Sequence, residues 1–162
     1  MNAASVLKNL EEKGIKLALA ESLTGGLVCS ELVSQPGASN VVLGSVVAYE
    51  TGLKSTVLGV SPELLAQVGA IDPEVAIRMA EGVRSRFSLQ LLLATDLVLG
   101  VSTTGVAGPE SQDGKPVGLV YIAVSGPRGE KVWEEQFSGT RQEIREQTVS
   151  KVFEHIGEYL GL

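Results

Sequence analysis

Residues 15–26 read Ile15-Lys16-Leu17-Ala18-Leu19-Ala20-Glu21-Ser22-Leu23-Thr24-Gly25-Gly26. The first six form a short apolar run broken only by Lys16, which reads as a buried strand. The last six are polar and glycine-rich. A second apolar segment, from Leu27 to about Val33, reads as a helix stopped by the turn Gln35-Pro36-Gly37. A strand, a glycine-rich turn and a helix in that order mark the start of an α/β unit, with a parallel strand expected next. Val41–Tyr49, rich in valine, supplies it. Its Gly44-Ser45 pair suggests a close backbone approach.

Working outward, Ala3–Glu12 reads as an amphipathic helix closed by Gly14. Ser61-Pro62-Glu63 and Asp72-Pro73-Glu74 each carry a capping residue followed by proline at the first helical position. The second of these opens a longer helix through Val83 and beyond. Leu97–Thr103 reads as a buried strand and Thr104–Gly118 as a Gly/Pro-rich loop. Leu119–Ser125 and Lys131–Phe137 form a hairpin joined at Gly126-Pro127-Arg128-Gly129. Thr140 and Glu143 have capping-box spacing and start a helix to about Leu160. The pattern predicts one domain over residues 1–162, a three-layer α/β/α sandwich around a mixed sheet.

The chain has 162 residues, 44% of them hydrophobic and 20% charged, with a net charge of −6. An acidic chain lacks the basic face that nucleic acid requires, so no nucleic-acid partner is expected. A few local donors can still hold a single phosphate. Cys29 is the only cysteine, and no Cys/His cluster spells a metal site, so neither a disulfide nor a metal is expected. The N-terminus does not read as a signal peptide, and Leu89–Val101 is too short and too interrupted to span a bilayer. The expectation is a cytoplasmic protein with no membrane partner.

Four segments could carry chemistry. In open α/β sheets ligands bind beyond the carboxyl ends of the strands, where Glu21–Gly26 lies. Thr24, Gly25 and Gly26 could offer backbone N–H groups to an anion, with Ser22 on the rim; the same residues also read as a plain helix cap. Tyr49–Lys54 would sit beside Ser22 if the first two strands are parallel neighbours. A serine needs a base. The only histidine, His155, belongs to the C-terminal helix, so a Ser-His-Asp triad is not expected. Lys54 can act instead if burial lowers its pKa, and Tyr49 could pass or orient the proton. Taken singly, Lys54 reads first as an exposed surface lysine and Tyr49 as a core aromatic. Thr104-Gly105, after the third strand, leaves room for a ligand. Arg141 and Arg145, four apart at a helix start, share a face that suits an anion. Ser5-Val6-Leu7-Lys8 mimics an S-x-x-K box but has no companion motifs.

Together these pieces resemble the CinA C-terminal domain family: AESLTGG at 20–26, VAYETGLKSTVLGV at 47–60, TGVAGP at 104–109, KPVGLVYIAV at 115–124 and FSGTRQEIREQ at 137–147. They follow the family's order and cover nearly the whole chain. Stand-alone members are similar to nicotinamide-nucleotide amidases. The resemblance implies an α/β/α fold without cofactor or metal, and hydrolysis of the carboxamide of nicotinamide mononucleotide, a small-molecule substrate. It places the nucleophile at Ser22, with Tyr49 and Lys54 assisting. Thr104 and Arg141 match its ligand-contacting positions, Arg145 matches a further family arginine, and a homodimer is implied. With the residue reading above, Thr24, Gly25, Gly26, Gly44, Thr104, Gly105, Arg141 and Arg145 are the expected substrate-binding positions. The larger N-terminal domain of full-length CinA proteins has no counterpart in these residues. A catalytically silent nucleotide-binding or interaction module remains the alternative. Where many members read Gly-Ala-Val-Ser, this chain has Gly69-Ala70-Ile71-Asp72, and Ser88–Ala94 looks longer than usual.

Overall fold

The computed structural model of the chain describes residues 1–162. Five strands form one sheet: β1 (Lys16–Glu21), β2 (Val42–Val47), β3 (Val98–Gly105), β4 (Leu119–Gly126) and β5 (Gly129–Gln136). Their order is β2-β1-β3-β4-β5. β1 runs parallel to both neighbours, whereas β4 is antiparallel to β3 and β5. Six α-helices cover the sheet: α1 (Ala3–Glu12), α2 (Leu27–Val33), α3 (Thr51–Thr56), α4 (Pro62–Val68), α5 (Pro73–Gln90) and α6 (Arg141–Leu160). No helix is long and apolar enough to cross a membrane.

The alternation within β1 sets up the three layers. Successive strand residues point to opposite faces. Leu17 and Leu19 join Leu99, Val101, Ile122 and the apolar faces of α1, α2 and α6 in one core. Ala18 and Ala20 face the other way, toward Val75, Met79 and Val83 of α5. Both faces of β1 are covered, as a strand in the parallel part of a sheet requires.

The α5 side is packed at backbone distance. A Cβ added at Gly100 of β3 would lie 2.1 Å from the Ala80 carbonyl oxygen, and one at Gly82 only 1.8 Å from that of Leu58. Glycine is the only residue that permits such an approach. The α/β/α reading of the sequence therefore holds, including the parallel pairing of the first two strands.

The details depart in three places. α3 follows the second strand, over residues to which the sequence reading assigns no element. Its residues, with a glycine and two threonines, have poor helix propensity. Tertiary bonds hold it: the Lys54 amine donates to the Ala48 carbonyl, and the Lys54 carbonyl accepts from the Val60 N–H. The Ser88–Ala94 stretch ends α5 and then turns in the open, with Leu92 at φ +53° and 91% exposed. β3 extends through Gly105, so Thr104 and Gly105 are strand residues rather than loop.

Candidate functional site

The pairing register brings the three parallel strand ends level. Glu21, last in β1, is opposite Val47 on one side and Thr103 on the other. Two bonds continue the ladder one residue further: the Ala48 N–H donates to the Glu21 carbonyl, and the Ser22 N–H donates to the Thr103 carbonyl. Ser22 thus leaves the sheet between the β2 and β3 ends, the place where open α/β sheets bind ligands.

A cavity of about 150 Å³ opens there. Ser22, Lys54, Thr104 and Gly105 line it together with Leu23, Ala70, Ile71, Val106 and Ala107. Tyr49, Arg141, Glu110 and Gln112 border it as well. A space of this size takes about one six-membered ring.

Lys54 reaches Ser22. Its Nζ lies 3.1 Å from Ser22 Oγ and donates to the Ala48 carbonyl at 2.9 Å. That separation is within the range for proton transfer between a base and a hydroxyl. Lys54 is 1% exposed and Ser22 9%. None of the chain's ion pairs includes Lys54. Burial pushes the Lys54 ammonium below the usual lysine range, with the Glu50 charge pulling the other way. The neutral amine is the form a base needs.

Tyr49 is placed differently from the expected proton relay. It is 60% exposed, and its phenol oxygen accepts from Arg141 Nη2 at 2.8 Å. The structure shows no bond from it to Ser22 or Lys54. Arg141 also donates through Nη1 to the Gly108 carbonyl at 2.7 Å. Both partners are neutral, so the guanidinium at the cavity border is without a counter-ion. Thr104 donates to the Ala70 carbonyl at 2.7 Å, which leaves its oxygen lone pairs free to accept from a ligand.

The glycine turn does not form the expected anion cradle. The Gly26, Val28 and Cys29 N–H groups all donate to the Glu21 carboxylate, at 2.9–3.1 Å, and Ser45 Oγ donates to it at 3.0 Å. The Gly25 N–H donates to the Ser22 carbonyl. Thr24 is fully buried, its hydroxyl bonded to that of Thr103 at 2.8 Å. An internal carboxylate, Glu21, thus occupies the helix end where a phosphate was expected. Glu21 is the residue the sequence reading passed over. Its signal was an acidic residue ending an otherwise apolar strand, just before a helix N-terminus that favours negative charge.

Arg145 and Gly44 also fall outside the cavity. Arg145 donates to the Leu23 carbonyl from Nε (3.0 Å) and to the Thr24 carbonyl from Nη2 (2.8 Å). Gly44, at φ +149°, accommodates the Phe87 ring of α5, 3.5 Å from where a Cβ would be. Its small size serves packing, as the Gly44-Ser45 pair implied. Around the cavity, the backbone N–H groups of Leu23, Ala107 and Gly108 are among those that meet no acceptor within the chain. Burial and the Glu21 charge push the Cys29 thiol up, which makes it a poor nucleophile.

Comparison with known proteins agrees with this architecture. A family model described as the CinA C-terminal domain matches residues 1–160. A CinA-like protein of Acidobacterium capsulatum is 44% identical over 141 residues, which is 86% of this chain and 32% of that protein. The chain spans about a third of the length of the curated relatives it matches. The crystal structure of the competence/damage inducible protein CihA of Agrobacterium tumefaciens superposes with a TM-score of 0.85 at 32% identity, covering 95% of this chain and 90% of that one. The competence damage-inducible protein A of Klebsiella pneumoniae gives 0.87 at 25% identity, covering 99% and 98%. On fold, sequence and extent of match, the chain belongs to the CinA C-terminal domain family.

Proposed function

We propose that the chain is a serine amidohydrolase that converts the carboxamide of nicotinamide mononucleotide to the carboxylate, releasing ammonia. The observation that carries this reading is the buried, ion-unpaired Lys54 amine 3.1 Å from the Ser22 hydroxyl.

In this mechanism neutral Lys54 accepts the Ser22 proton as Oγ attacks the amide carbon. The carbonyl π-electrons move onto oxygen, which free backbone N–H groups such as those of Leu23, Ala107 or Gly108 would receive. One such donor is typically worth about 3 kcal/mol in the transition state. As the tetrahedral adduct collapses, the C–N bond breaks and the nitrogen takes the proton from Lys54, leaving as ammonia. Water then attacks the acyl–Ser22 ester. Lys54 takes its proton, then returns it to Ser22 Oγ as the acid departs. The net reaction is amide plus water to acid plus ammonia.

Three features support the substrate class. The cavity matches a single six-membered ring in volume, and its lining combines apolar side chains with a larger share of polar groups that suit a carboxamide. Its border carries Arg141 without a counter-ion, which suits a phosphate held outside the ring pocket. The sequence resembles that of stand-alone nicotinamide-nucleotide amidases. In this reading Tyr49 and Arg141 contact substrate at the border rather than moving the proton of Ser22.

The test is ammonia release from nicotinamide mononucleotide by the purified protein, with Ser22→Ala as the control. Turnover by the native chain and none by the variant is the expected result. Equal release by both would refute the nucleophile. Tyr49 tied to Arg141 and not to Ser22 favours a second reading, a nucleotide-binding module without catalysis. That reading predicts a rise in melting temperature with the nucleotide and no ammonia.

A further inference from the structure

The turn that carries Ser22 is held between two charged side chains, neither of which reaches the cavity. On one side the Glu21 carboxylate collects the N–H groups of Gly26, Val28 and Cys29 and the Ser45 hydroxyl. On the other the Arg145 guanidinium binds the carbonyls of Leu23 and Thr24. Its remaining contact is the Gln142 side-chain oxygen at 3.2 Å. The donors of the turn are thus anchored to an anion and its acceptors to a cation.

A turn of this kind needs such anchors. Gly25 and Gly26 have φ +60° and +94°, a region that glycine samples freely along with many others. Left to itself the segment would sample many backbone states, and Ser22 would move with it. Proton transfer to Lys54 tolerates only a small fraction of that freedom, because catalytic groups must be held to about 0.5 Å. Charge-assisted bonds are shorter and stronger than neutral ones, so two ionic anchors suit the task.

We infer that Glu21 and Arg145 are positioning residues that bracket the nucleophile turn, fixing Ser22 against Lys54 and keeping the Leu23 N–H free toward the cavity. Arg145 therefore acts on the chemical step and not on substrate phosphate. The inference rests on the amidase reading for its kinetic readout only.

The test uses the full chain and the variants Arg145→Gln, Arg145→Lys and Glu21→Gln. Two quantities are measured: kcat and KM for ammonia release from nicotinamide mononucleotide, and the rate at which a small uncharged fluorophosphonate labels Ser22, read by intact mass and peptide mapping. Circular dichroism and thermal melting confirm that each variant folds. Arg145→Gln is expected to lower kcat and the labelling rate together, by about 10- to 100-fold, with KM changed by less than about twofold. Arg145→Lys restores part of both, since an ammonium serves two carbonyls less well than a planar fork. Glu21→Gln follows Arg145→Gln, because an amide nitrogen would face backbone donors. If Glu21→Gln does not fold, Ser45→Ala removes one carboxylate partner and is expected to give the same pattern more weakly.

A rise in KM with labelling unchanged would make Arg145 a phosphate ligand and overturn the inference. Unchanged kcat and labelling would overturn it too. A native protein that is labelled at Ser22 yet releases no ammonia defeats the amidase reading, while the labelling comparison still decides the role of Arg145. A native protein not labelled at all refutes both.

Discussion

The amine of Lys54 and the hydroxyl of Ser22 meet at 3.1 Å in a wall of the cavity, with the Ala48 carbonyl as the only other polar partner of the lysine. A buried amine with no carboxylate beside it is costly to charge. That cost is what makes it usable as a base.

Activity is therefore expected to rise with pH through an apparent pKa below the ordinary lysine value of 10.5. The sign follows from the role: the protonated amine cannot accept the Ser22 proton, so turnover is lost as pH falls. Lys54→Met should lower kcat by about a hundred- to ten-thousand-fold, the usual contribution of a general base. A pH–rate profile of the native chain, and single-turnover kinetics of the variant, check both statements. A flat profile from pH 6 to 10 would count against Lys54 as the base.

The same substitution should stabilise the fold. An unfolded lysine binds its proton up to the ordinary value, whereas folded Lys54 releases it earlier. Between those two pH values the unfolded chain holds more protons, so stability climbs with pH across that window. Below it the folded protein bears a buried charge that methionine removes. Lys54→Met is expected to melt higher than the native chain at neutral pH and to lose the alkaline rise, as measured by thermal unfolding at several pH values.

Tyr49 and Arg141 are expected to act on substrate binding. Arg141→Gln removes a charge that faces only neutral oxygens and should raise KM for the phosphorylated substrate by about 10- to 100-fold, the value of a charge-assisted bond. Tyr49→Phe loses one bond to Arg141. It should raise KM while leaving kcat within about threefold. If kcat of Tyr49→Phe collapses instead, the phenol moves into the dyad on substrate binding and is a proton relay.

The contact between α5 and the sheet gives a prediction independent of chemistry. Gly100→Ala would drive a methyl group to 2.1 Å from the Ala80 carbonyl oxygen. Overpacking of this kind costs about 1–3 kcal/mol, which for a chain of this size is about 2–4 °C of melting temperature per kcal/mol. A variant that melts with the native chain would show that α5 can slide away from β3.

Much of this was legible in the residues alone. The Leu/Ala alternation of β1, the proline-started helices and the capping box at Thr140 all specify local geometry by short-range rules, and the structure follows them. The nearness of Ser22 to Lys54 was legible through the reading of β1 and β2 as parallel neighbours and through the family resemblance. Three points were not legible, two of them because they depend on a partner far away in the chain. Arg145 meets Leu23 and Thr24 across more than 120 residues, and Arg141 meets Tyr49 across 92. Glu21 was hidden for another reason: a helix N-terminus predicts that an anion will bind but not whether the chain supplies its own.

Both arginines that brace this region come from the first two turns of α6, the final element, whereas the hydroxyl and amine come from the first third of the polypeptide. Any fragment that stops before residue 141 would keep the two reacting groups and lose what steadies one of them and flanks the entrance. The N-terminal strand-helix-strand segment cannot then be grafted elsewhere as a self-sufficient module. Synthesis must reach the last helix before the cleft can assume its working shape.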